Sequence, residues 1–65
     1  MEYTNSQIRD LIAEHIHSER DRMILQRRLI DGITIDRLSE EFDLSPRNIK
    51  YILQKNESIL FSKLP

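Results

Sequence analysis

The stretch TIDRLSEEFDLSPRNIKYIL, residues 34 to 53, holds two helix openings within twenty residues. The first is at Thr34, whose hydroxyl can accept a bond from a free backbone N–H, with Asp36 in the first turn to suit the helix dipole. Leu38 and Phe42 follow as an apolar pair at i and i+4. The second opening is at Ser45, with Pro46 at the first helical position, where its missing N–H costs nothing. Ile49, Ile52, Leu53 and Leu60 recur at helical spacing behind it, and Leu64 extends the line. Only Asp43 and Leu44 lie between Phe42 and Ser45. So short a connection forces the two helices to cross steeply. Leu44, apolar in the turn, is expected to plug the gap between them. Ser39 supplies a small side chain beside Leu38, and its hydroxyl is expected to bond back to the Ile35 carbonyl.

Two more helices are expected upstream. One opens at Thr4 or Asn5, where Gln7 can complete a capping box with Thr4. Ile8, Leu11, Ile12 and Ile16 form its apolar stripe. The other opens at Ser18, with Asp21 three residues later as a weaker box. Ile24, Leu25 and Leu29 point inward, Met23 and Ile30 flank them, and Gly32 ends the helix by taking a left-handed conformation.

The 65 residues make one domain, 1–65, with no Cys, a single Gly and 32% charged residues. That is a helical composition without disulfides or thiolate metal sites. A core of this size supplies on the order of 3–5 kcal/mol. No apolar run approaches a membrane span and no signal peptide opens the chain, so a cytoplasmic location is expected, away from membranes. The net charge is −1, lower than a free-standing nucleic-acid binder often carries. Its distribution is uneven: residues 45–65 carry +3 and residues 1–17 carry −2.

The run from Arg22 to Leu64 resembles the helix-turn-helix of bacterial sigma-factor region four and the related LuxR-type DNA-binding domain. The pieces that carry the resemblance are RMILQRRLIDGIT, IDRLSEEFDLS, RNIKYIL and a closing SKL. The turn in these families usually reads Gly, aliphatic, Ser. Here it reads Asp43, Leu44, Ser45, and Ser39 stands where Ala is usual. The resemblance implies an all-α, four-helix domain with a helix-turn-helix over about residues 34–62, and DNA contacts on its last helix.

The residues themselves suggest how such contact would work. A helix about 10–12 Å across fits a major groove about 12 Å wide, provided something holds it proud of the domain. The third helix would do so, with its N-terminus at Thr34 and Ile35 turned to a phosphate. Removing the inward positions of the fourth helix leaves Pro46, Arg47, Asn48, Lys50, Tyr51, Gln54 and Lys55, next to the cap Ser45. Arg47 suits guanine, and Asn48 or Gln54 suits adenine. Lys50 and Lys55 suit phosphates, and Tyr51 a phosphate or sugar. The expected function is sequence-specific binding of double-stranded DNA, in transcription regulation of a bacterium or phage.

The alternative is a protein-interaction module docking on RNA polymerase, which sigma region four by resemblance also contacts. The acidic run Glu40, Glu41, Asp43 suits a protein partner. A homodimer is a further option, through the first helix or an exposed Ile59 and Phe61. Arg20, Arg22, Arg27 and Arg28 alternate with acids, and most of them read as surface ion pairs, with a phosphate contact open for Arg28. His15 and His17, two apart on one helix, face different ways and suggest no zinc site. No His, Cys or glycine-rich loop joins the acidic run, so neither an enzyme nor a cofactor is expected.

Overall fold

A computed structural model describes residues 3–63. The chain forms four helices in the order α1 (Asn5–His15), α2 (Glu19–Leu29), α3 (Ile35–Phe42) and α4 (Pro46–Ser62), with no strand among the described residues. Each helix begins where the sequence places a hydroxyl. Thr4, Ser18, Thr34 and Ser45 accept the backbone N–H of Gln7, Asp21, Arg37 and Asn48 at 3.1, 3.3, 3.2 and 3.1 Å. Each such bond satisfies a donor that the helix interior cannot. The box at α1 is complete, since Thr4 N–H also donates to Gln7 Oε1 at 2.8 Å. At α2 it is not: the Asp21 carboxylate turns into the protein instead.

The core consists of Ile12 and Ile16 from the first segment, Ile24 and Leu25 from α2, Leu38 from α3, and Ile49, Ile52, Leu53 and Leu60 from α4. α4 packs against all three other helices and is the spine of the domain, while α1 lies on α2 and α4. Leu29, Phe42 and Leu44 are half-buried against this core, and Met23 is exposed. Leu64, expected to extend the inner line of α4, lies outside the described residues.

Several local expectations are corrected. α1 ends at His15, with Ile16 extended as its cap, so His15 and His17 do not share a helix. Of Arg20, Arg22, Arg27 and Arg28, two make ion pairs: Arg20 with Asp21, and Arg27 with Asp31 and Glu41. The other two bond to backbone carbonyls left over where helices end. Arg22 Nη1 donates to Ile16 O at 3.0 Å and His17 O at 3.3 Å. Arg28 Nη1 donates to Ile33 O at 3.0 Å. Gly32 ends α2 with φ of 70°, as expected. No helix among the described residues is long and apolar enough to cross a membrane, and no group of three or more metal-ligating side chains occurs among them.

Candidate nucleic-acid interface

The corner between α3 and α4 is built on a left-handed residue. Asp43 has φ 54° and ψ 46°, a region where an L residue loses roughly 1–2 kcal/mol and Asp loses less than most. That single conformation turns the chain out of α3 and toward the extended cap residue Ser45. Ser39 fastens the corner, in a way the sequence reading missed. Its hydroxyl does not return to Ile35; it donates to the Leu44 carbonyl. Its own carbonyl accepts from the N–H of Asp43 and from that of Leu44, the latter at 3.0 Å. Leu44 is therefore held through both of its backbone polar groups while its side chain packs on the core. A small hydroxyl residue at position 39 both fits the crossing and ties it.

Beyond the corner α4 runs for 17 residues, about 26 Å at 1.5 Å per residue. One side is the buried seam of Ile49, Ile52, Leu53, Asn56 and Leu60. Ser45, Pro46, Arg47, Asn48, Lys50, Tyr51, Gln54 and Lys55 are all exposed, as is Thr34 at the start of α3. They do not form one flat face. At about 100° per residue, Arg47, Tyr51 and Gln54 lie along one line opposite the seam, with Lys50 on one shoulder. Asn48 and Lys55 lie on the other shoulder, and Asn48 is about 160° around the helix from Lys50.

Lys50 and Gln54 border a shallow groove of about 420 Å³ that Ile35 at the start of α3 and Arg28 also line. Arg28 and α3's first residue thus meet the Lys50 side of α4, not the Asn48 side. Glu57 lines the same groove and sets a carboxylate against the positive charge there. Thr34 uses its hydroxyl on the Arg37 N–H. The N–H groups of Ile35 and Asp36 are first-turn donors, for which a helix has no internal acceptor.

The acidic run is smaller than the sequence suggests. Arg27 reaches from α2 to Glu41 with two bonds, Nη2 to Oε1 at 2.6 Å and Nε to Oε2 at 2.9 Å. Arg27 Nη1 also meets Asp31 Oδ2 at 3.3 Å. The Arg27 hydrogen bond holds the Glu41 carboxyl below its ordinary range, and the same bond raises the guanidinium. Glu41 is therefore a strut between α2 and α3.

The burial of two polar residues was not expected from the sequence, where Asp21 was read only as part of a weak capping box and Asn56 was given no role. Asp21 and Asn56 are buried, with 6% and 3% of their surface exposed. The signal was present, since Asn56 falls on the 49, 52, 53, 56, 60 spacing of the seam and Asp21 precedes Ile24 and Leu25 by three and four residues. Comparison of the chain with protein-family models, curated proteins and solved structures gives no match.

Proposed function

We propose that α3 and α4 act as a helix-turn-helix that binds duplex DNA, with the first turns of α4 in the major groove. In this reading the chain regulates transcription in a bacterium or phage, as its resemblance to sigma region four implies. The observation that carries the proposal is the division of α4. Its inner seam is sunk in the core, while Arg47, Lys50, Tyr51 and Gln54 stand exposed beside a corner that fixes their direction. Arg47 is assigned to a base edge, because a guanidinium matches the two acceptors of guanine. Lys50, Arg28 and the α3 N-terminus are assigned to phosphates on one side. Asn48 and Lys55 would meet the opposite wall of the groove.

Fluorescence anisotropy on duplexes selected from a random pool tests this. With roughly three to five phosphates neutralised, the slope of log affinity against log salt is expected at about −3 to −4.5. Arg47→Ala is expected to reduce discrimination between selected and scrambled duplexes. Lys50→Ala is expected to weaken both equally. Equal losses on both duplexes for Arg47→Ala would remove it as a base reader.

Docking on RNA polymerase without DNA affinity is the second reading. It draws support from Phe61 and Ile59, which are 58% and 36% exposed near the end of α4. The same two side chains are where self-association would occur, and sizing the protein in solution tests that. The engagement of Glu41 by Arg27 weakens the acidic-patch argument for a protein partner.

A further inference from the structure

The only polar or charged residues among the described buried ones are Asp21 and Asn56, and they bond to each other. Asn56 Nδ2 donates to Asp21 Oδ2 at 3.1 Å and to the Ile52 carbonyl at 2.8 Å. The other carboxylate oxygen, Oδ1, accepts from Arg20 Nε and Nη2 at 3.3 and 3.2 Å. Asp21 sits in the first turn of α2, where a carboxylate suits the helix dipole. One bond thus joins the beginning of α2 to the middle of α4, across 35 positions of sequence.

We propose that Asn56 and Asp21 are positioning residues that select the rotation of α4 about its own axis. Asn56 is nine residues beyond Arg47, about 900° or two and a half turns, so the pair lies directly behind the exposed face. The rest of the seam is Ile and Leu, and aliphatic seams accept more than one packing with similar burial. The amide–carboxylate bond does not. A rotation on the order of 30°, which keeps the same aliphatic residues inward, would carry Asn56 away from α2 and leave a buried carboxylate oxygen without its donor. Apolar burial decides which side of α4 faces in; the polar pair sets the fine rotation within that seam. A single buried polar residue sets register in coiled coils by the same physics.

The effect on DNA rests on the function proposed above, but the effect on rotation does not, so the first two tests use no DNA. In the wild-type protein, one Asn56 side-chain amide proton is expected to exchange with solvent at least tenfold more slowly than those of exposed Asn48. Equal exchange at the two sites would overturn the proposal. The second test is the double variant D21L/N56L, followed by methyl NMR. It is expected to melt cooperatively at or above the wild-type temperature, yet to show doubled or broadened signals for Ile49, Ile52, Leu53 and Leu60. A single sharp set, matching wild type, would overturn the proposal. So would failure to fold, because the pair would then be required for stability and not for choice of rotation. A third arm measures the affinity ratio of D21L/N56L for selected over scrambled duplex, expected to fall about tenfold. A ratio unchanged in a variant that does show doubled signals would separate rotation from DNA reading and count against the function alone.

Discussion

The two corners flanking α3 solve one problem in different ways. Each must reverse the chain with a single left-handed residue, Gly32 at φ 70° before α3 and Asp43 at φ 54° after it. The first corner is fastened from outside. Arg28 donates to the Ile33 carbonyl, and Arg27 spans from α2 to Asp31 and Glu41. The second is fastened from within, by Ser39 on Leu44 and by the Asp43 and Leu44 N–H groups on the Ser39 carbonyl. The first corner also has neutral backbone bonds, Ile33 N–H to the Arg27 carbonyl at 3.1 Å and Asp31 N–H to the Gln26 carbonyl at 3.3 Å, and it alone adds an exposed ion pair open to salt and acid. The inner corner relies on neutral bonds at a half-buried site, which solvent screens little. The corner that aims α4 carries no such ion pair among the described residues.

Glycine and aspartate at equivalent tasks give the sharpest contrast, and the largest effect is expected at Gly32. Nothing lies within 4 Å of a Cβ placed there, so Gly32→Ala tests backbone conformation alone. The variant is expected to lose roughly 1–2 kcal/mol, read from a urea melt. An unchanged midpoint would mean the first corner relaxes without harm. Ser39→Ala comes next. It leaves the Leu44 carbonyl short of a donor at a half-buried position, and about 1 kcal/mol of destabilisation is expected by the same melt. A loss confined to thermal stability, with salt dependence as in wild type, would sharpen the contrast with the first corner.

Asp43→Gly runs the other way. Relieving the left-handed strain is expected to raise stability by about 0.5–1 kcal/mol with the fold intact. A lower melting temperature would show that the Asp43 side chain contributes something the backbone does not reveal. The smallest effect is expected on acidification. Arg27 depresses the Glu41 pKa in the folded chain, so the pair's contribution is present at neutral pH and above the ordinary glutamate range. It fades as pH falls through the lowered value. Glu41→Gln is expected to lower the melting temperature slightly near neutrality and to converge with wild type in acid, flattening the profile across that window. Because both groups are exposed, the shift is small and shrinks with salt.

What the sequence discloses follows from how local each feature is. Thr4, Ser18, Thr34 and Ser45 all cap helices where expected, because a cap is decided by residues three apart. The apolar seam of α4 was legible because it repeats. Ser39 was read correctly as a small residue and wrongly as a partner of Ile35, because hydroxyls often bond four residues back. Its true partner, Leu44, becomes reachable only once Asp43 has turned left-handed. The pairing of Asp21 with Asn56 was hidden for a different reason. Asn56 falls on the seam spacing and Asp21 in a capping position, but nothing local links positions 35 apart. The exposed residues of α4 were found by subtraction from the seam. Their split into two shoulders needed only the helical angle, and it narrows the candidate base reader to Arg47 and Gln54.

The most direct test of the central claim is a titration of the labelled protein with duplex DNA at physiological salt, followed through its backbone amides. Shifts are expected to concentrate on Arg47, Lys50, Tyr51 and Gln54 and on Ile35 and Asp36, with α1 little affected. Shifts gathered instead at Met23, Ile59 and Phe61, or none at any accessible concentration, would contradict the account.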